Sequence, residues 1–395
     1  MNSLPAIDPA LLNRVTALRR DLHRHPQLGY EETYASQAVQ RELARVGVDT
    51  VRIAATTGVL ATLIPTDPKA RQRPGVALRA DMDALPIGEA SGVEHASLTP
   101  GLMHACGHDG HTAALLGAAE LIAAGRDHLP RPVLLIFQPA EEVGAGAARL
   151  IDEHALDAER NGFEIDAVFA LHNWPGLPLG SIELLDGPTM AGTNRLVIEL
   201  SGRGGHAAMP HRAADLPLAA ATLVQQLHAS IPRRLDPHDA ALLTVASIRA
   251  GEAHNVLPAT ATLEGTLRYF NDATRSTLLD QLHRVTRGVA EAAGCEARID
   301  LDNGYPPTVN HRPAVETGRA AADRAGLAVV PEAAPSMAAE DFAFFGQHCP
   351  IAYAKLGVET PDRVSASLHH PAYDFNDRAL PHAVSWLTQL AFAAA

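Results

Sequence analysis

Cysteine is scarce in this chain. Three residues, Cys106, Cys295 and Cys349, are scattered over 395 positions, which is too few for a disulfide framework. Lysine occurs only at 69 and 355, so nearly every basic side chain is arginine; with the abundant alanine, this reads as a genomic composition bias. No run approaches the roughly 18 consecutive apolar residues that a bilayer span needs. The stretch from Met1 to Asp21 lacks the apolar core of a signal peptide, and the expected location is cytoplasmic. Positive charge is also short: 32 Lys and Arg against 45 Asp and Glu leave a formal charge of −13. Phosphate surfaces would repel such a chain, so neither nucleic acid nor an anionic membrane is expected as a partner.

The length exceeds what one hydrophobic core usually organises, and two domains are the default expectation. Asp8-Pro9 predicts an N-cap and a first-turn proline, followed by Leu11, Leu12, Val15, Leu18 and Leu22 at helical spacing. A second helix is expected over 31–46, ended by Gly47, and a third over 110–124, ended by Gly125. Apolar runs at 58–64, 76–80, 133–137 and 167–171 predict buried strands. Strands alternating with helices indicate an α/β layer with a mainly parallel sheet. The pattern changes near Asp186-Gly187-Pro188. From Asn194 it reads strand (196–200), helix (213–230), strand (241–248), strand (260–267), helix (274–293), strand (295–301), which is the ferredoxin-like order. Helices near 314–325 and 379–393 then resume the first pattern. The expected architecture is a catalytic α/β domain, 1–187 and 303–395, interrupted by an inserted ferredoxin-like α+β domain, 188–302.

Histidine is abundant, at 20 residues, and only position and company can make one a ligand. The sharpest segment is Met103-His104-Ala105-Cys106-Gly107-His108-Asp109-Gly110-His111. A Cys and a His two apart, just before a helix, converge on one metal if the backbone turns tightly, and Gly107 permits that turn. Gln138-Pro139-Ala140-Glu141-Glu142 and His172-Asn173 each follow a predicted strand directly. Open α/β sheets place their sites outside the carboxyl ends of strands, so these groups are expected to meet. Taken singly, each has a bland alternative: harmless loop histidines, a solvated acidic turn, a polar strand end.

Further segments carry a resemblance: Leu22-His23-Arg24-His25-Pro26, Arg79-Ala80-Asp81-Met82-Asp83-Ala84-Leu85-Pro86, Gly204-Gly205-His206-Ala207-Ala208-Met209-Pro210-His211, Asn255-Val256-Leu257-Pro258, Gly265-Thr266-Leu267-Arg268, Glu340-Asp341-Phe342 and Leu368-His369-His370-Pro371. With these, the chain resembles the hippurate hydrolase and auxin-conjugate amidohydrolase branch of the aminoacylase/carboxypeptidase metallohydrolases, from about Leu18 to Ala379. The resemblance implies a dinuclear metallohydrolase domain with an inserted lid and dimerisation domain. It implies Cys106, His108, Glu142, His172 and His369 as ligands of two divalent metal ions, with Cys106 bridging them. Glu141 would be the general base, and Asp83 the carboxylate that orients a ligand histidine. His206 would face the oxyanion of the tetrahedral intermediate from the neighbouring subunit of a homodimer or higher homo-oligomer. Asn255 and Arg268 would hold the α-carboxylate of the substrate. His104, His111, His211 and His370 are read as supporting or structural. The chain departs from the usual pattern at Val143, where glycine is common, and at Gln27, where an acidic residue is common.

Two divalent ions sharing a water lower its pKa and polarise a scissile carbonyl, while a carboxylate that is not a ligand moves the proton to the leaving amine. Thiolate, imidazole and carboxylate together suit zinc and allow manganese, cobalt or nickel. The expected activity is hydrolysis of the amide bond of N-acyl amino acids, with such a small molecule or a short peptide as partner. A carboxypeptidase or dipeptidase with the same metals is the runner-up. A catalytically silent binding protein is disfavoured by the intact Glu141 and ligand set, and a thiol hydrolase built on Cys106 would keep its activity in chelators.

Overall fold

The protein is described by a computed structural model covering residues 7–331 and 334–393. The described chain divides into two compact units. One holds the residues up to Thr189, Val309–Ala334 and those from Asp341 on; the other holds Met190–Thr308 and Pro335–Glu340. The smaller unit thus includes 303–308 and 335–340, beyond the expected boundaries. Backbone bonds explain the gain: Thr193 N–H donates to Tyr305 O at 2.9 Å, and Ala191 N–H to Ser336 O and Ala338 O at 3.0 and 2.9 Å.

The larger unit is built on an eight-stranded mixed sheet. Its order is Thr50–Ala54, Gly58–Leu63, Val133–Gln138, Gly75–Asp81, Ile165–Pro178, Ile351–Glu359, Ser181–Glu183, Ala328–Val329. The middle four, from Val133–Gln138 to Ile351–Glu359, are mutually parallel and buried along most of their length. Parallel strands buried on both faces are mostly apolar, which is why their sequences run together without alternation, and the few polar side chains among them must find buried partners.

Asp8 caps the first helix, Pro9–Arg24, its Oδ1 accepting the Leu11 N–H at 2.6 Å. Helix Thr33–Val46 ends on Gly47 at φ +78°. The central helix, His108–Ala124, packs against both Pro9–Arg24 and Leu380–Ala391. A Cβ on its Gly117 would lie 2.8 Å from Val384 and 2.9 Å from Val15, so glycine lets three helices approach.

The smaller unit has a four-stranded sheet in the order Leu242–Arg249, Thr260–Tyr269, Gly192–Ser201, Glu296–Leu301, every neighbour antiparallel. Alternate residues of Gly192–Ser201 are buried, as a sheet covered on one face requires. The cover is helices Leu216–Ser230 and Asp272–Ala293, with Leu223, Leu227, Leu278 and Leu282 packed on Leu196, Ile198, Leu200 and Leu263. Helix Leu216–Ser230 begins later than the predicted 213, because Asp215 caps it through Leu218 N–H at 3.1 Å. Among the described residues no helix is long and apolar enough to cross a membrane.

Candidate metal centre

The carboxyl ends of the parallel strands carry the chemistry. Gly75–Asp81 delivers Asp81 and then Asp83; Val133–Gln138 delivers Glu141 and Glu142. His172 lies within its strand and not after it. Pairing with Ile351–Glu359 continues through His172, opposite Lys355, to Trp174, opposite Gly357. His108 opens the central helix two residues before the predicted start. Gly107 at φ +93° turns the chain into it, and a Cβ there would fall 2.2 Å from Asn173 Oδ1.

All five predicted ligands meet. One donor atom from each of Cys106, His108 and His172 falls within 4.8 Å of the others, as do those of Cys106, Glu142 and His369. Cys106 belongs to both groups, which is the geometry that a bridging ligand needs. Its Sγ is 3.3 Å from His172 Nε2. His108, Glu141 and Glu142 form a third such group.

The imidazoles are aimed by their second nitrogens. His108 Nδ1 meets Asp83 O at 2.9 Å and Asp83 Oδ1 at 3.2 Å, and His172 Nδ1 meets Asn173 O at 2.8 Å. Each Nε2 is thereby turned into the site. Asp83 also accepts the Glu142 N–H on Oδ2 at 2.9 Å, so one carboxylate ties together the two segments that bear the candidate ligands His108 and Glu142. His111 links the neighbouring strand ends: its Nδ1 bonds Asp81 Oδ1 at 2.6 Å and its Nε2 accepts the N–H of Asn173, the residue after His172, at 3.1 Å. His369 stands on a loop at φ +63°, its N–H bonded to Ala105 O at 2.8 Å, and its side chain is 51% exposed.

The residues fit a metal. His108 Nε2 and Glu142 Oε1 are buried without a hydrogen-bond partner, a rare condition that a cation would relieve. Glu142 Oε1 lies 3.1 Å from His369 Nε2 but is not aligned for a hydrogen bond. Burial, then the Glu142 carboxylate, pushes the Cys106 thiol well above its ordinary value. Burial opposes charge on His108 most strongly, but Asp81, Cys106 and Asp83 together outweigh it and the imidazole is raised, whereas burial and His111 hold His172 well below its usual range. A divalent cation among these groups would invert that balance and favour thiolate and neutral imidazole, the forms that bind metal.

Several buried residues around the site had no role assigned from sequence, among them Glu32, Arg79, Asp81, Gln138, Asn173 and Asp341. Arg79 Nη1 bonds Asp81 Oδ2 at 2.7 Å, and its Nε bonds Gln138 Oε1 at 2.8 Å. The available signal was an arginine inside the apolar run 76–80, which must find partners if it is buried.

The remaining predicted residues belong to the smaller unit. His206 is exposed on the short strand Gly205–His206, which pairs with Val256–Leu257, and Ala207 N–H donates to Asn255 O at 3.0 Å. Asn255 is exposed and thus adjoins the His206 loop. Arg268, half buried on Thr260–Tyr269, bonds Thr266 Oγ1 at 2.6 Å, Leu267 O at 3.1 Å and the Thr193 hydroxyl. Burial alone lowers its pKa, and among the described residues no carboxylate compensates its charge.

Residues 77–393 match the peptidase family M20/M25/M40. The chain is 38% identical over 381 residues to an N-acetyl-L-cysteine deacetylase of Bacillus subtilis, covering 96% of this chain and 88% of that protein. It is 37% identical over 383 residues to an IAA-amino acid hydrolase (ILR1-like 5) of Arabidopsis thaliana, covering 95% and 86%. The crystal structure of a Bacillus subtilis protein described as a dinuclear metal binding peptidase of this family matches with a TM-score of 0.84 at 32% identity, covering 98% of each chain. The chain therefore belongs to the M20 family of metal-dependent peptidases and amidohydrolases.

Proposed function

We propose that this protein is an amidohydrolase that cleaves N-acyl amino acids into a carboxylic acid and a free amino acid, with two zinc ions as the best-fitting metals. The carrying observation is the meeting of Cys106, His108, Glu142, His172 and His369 in groups that share Cys106, beside the carboxylate Glu141. The deacetylase and auxin-conjugate hydrolase names of the relatives support the substrate class.

Cys106, His108, Glu142, His172 and His369 would hold the two ions, whose chemistry there is to acidify a water and polarise the scissile carbonyl. Glu141 accepts the proton of the attacking water and passes it to the leaving amine. Asp83 keeps His108 in the Nδ1–H tautomer and fixes the peptide of Glu142. Arg268, charged and without a carboxylate partner among the described residues, and Asn255 receive the α-carboxylate of the substrate. His206 donates to the developing oxyanion, supplied by the second subunit of a homodimer.

The test is a hydrolysis panel on metal-loaded protein: N-acetyl, N-benzoyl, indole-acetyl and aminoacyl amino acids, each with and without chelator. Chelator-sensitive release of amino acid from the N-acyl compounds is expected. Turnover of the aminoacyl compounds alone would make the protein a dipeptidase, and chelator-resistant turnover would end the metal reading.

A further inference from the structure

The residues 138–142 form a short turn that carries both Glu141 and Glu142, and its backbone does not favour the shape it adopts. Ala140 has φ +52°, a left-handed conformation that a residue with a Cβ keeps only when its surroundings impose it. Two buried carboxylates outside the ligand set supply that constraint.

Glu32, fully buried, accepts the Ala140 N–H on Oε1 at 2.8 Å and the Thr57 hydroxyl on Oε2 at 2.6 Å. Asp341, also fully buried, is held by Gln138 Nε2 at 2.7 and 2.9 Å, by Arg79 Nη2 at 3.2 Å and by Ala147 N–H at 2.9 Å. Its own backbone N–H donates to Glu141 Oε1 at 3.4 Å. The Glu32 carboxylate thus grips the Pro139–Ala140 peptide, one residue upstream of Glu141, and the backbone N–H of Asp341, whose side chain is anchored on Gln138, Arg79 and Ala147, donates to the carboxylate of Glu141.

We propose that Asp341 and Glu32 are positioning residues for Glu141: the anchored Asp341 aims the Glu141 carboxylate through its backbone N–H, and Glu32 fixes the Pro139–Ala140 peptide that leads into Glu141. This rests on the reading of Glu141 as the base. The two contacts make different chemical demands. Asp341 accepts from side-chain and backbone donors on both oxygens, so an asparagine would turn an NH2 toward donors and shift the segment. Glu32 needs only to accept from one N–H and pair with one hydroxyl, which a glutamine can do because the Thr57 hydroxyl can rotate to accept.

Metal content, kcat and KM for an N-acetyl amino acid, and crystal structures would be compared for the metal-loaded wild type, D341N, E32Q and E32A. D341N and E32A are expected to lose about 10- to 100-fold in kcat, with KM within about two-fold, full metal content and a displaced Glu141 carboxylate. E32Q is expected to stay near wild type. The proposal is overturned if Glu141 keeps its place in D341N and E32A, if the loss follows metal content, or if E32Q falls as far as E32A. Should D341N fail to fold, the E32A and E32Q pair decides alone. A wild type inactive on every N-acyl amino acid would refute the functional reading, while the position of Glu141 in the variants would still test this one.

Discussion

At the scale of single residues, the division of labour between Glu141 and Glu142 is the sharpest expectation. Glu141→Gln should abolish turnover and leave metal content intact, since the proposed ligand of the pair is Glu142. Kinetics alongside metal analysis checks this, and parallel loss of metal would reverse the two roles. A second residue-scale prediction concerns His23. Burial works against its charge, but Asp109 at 2.9 Å, with Glu89 at 3.2 Å, outweighs burial and pushes it up to about 9. The folded state therefore keeps a proton that the unfolded chain releases near the ordinary value of 6.5. This stabilisation is complete below about 6.5 and is lost as pH rises through about 9. Urea midpoints across that window should fall with pH in the wild type and fall less in His23→Gln; parallel curves would refute the assignment.

At the scale of elements, the central helix is the most constrained. Gly117→Val would push a branched side chain against Val15 and Val384, an overpacking of typically about 1–3 kcal/mol. A lower urea midpoint at unchanged slope is expected, and an unchanged midpoint would mean that the helices can part without penalty. Much of this layer was legible in the sequence. The caps at Asp8 and Gly47 and the apolar runs around 76–80 and 133–137 each follow from local chemistry. Ile351–Glu359, the fourth parallel strand, was not seen, because Lys355 interrupts its apolar run. The structure shows why a lysine is tolerated there: Lys355 Nζ bonds the buried Glu183 at 2.7 Å and lies 4.8 Å above the Trp174 ring. Thr50–Ala54 was also missed, since an edge strand with three exposed residues has no apolar signature. At the site, residue types and spacing pointed to the segments that meet there, and the family resemblance supplied the roles proposed for them. The hydrogen bonds that aim them join positions as distant as 138 and 341, which local patterns do not reveal.

At the scale of the whole molecule, the proposed machinery is split. All five proposed ligands belong to the larger unit and His206, Asn255 and Arg268 to the smaller. If His206 serves the partner subunit, His206→Ala and Glu141→Gln should each be nearly inactive alone. After subunit exchange at equal concentrations, half the dimers pair the two defects and contain one intact site each. Activity should return to about a quarter of wild type. Exchange without recovery would place His206 in its own subunit or outside the reaction.

The loop of His369 gives the two proposed ions unequal tenure. Cys106, His108 and His172 are buried within the fold, while His369 is half exposed, on a loop at positive φ. Of two ions that would share Cys106, the one His369 would hold has the ligand most open to solvent. Under a slow chelator it should leave first, and the protein should pass through a singly loaded form that is folded, inactive and restored by one equivalent of metal. Its shelf life as a catalyst would then be set by one exposed histidine long before the fold itself begins to fail.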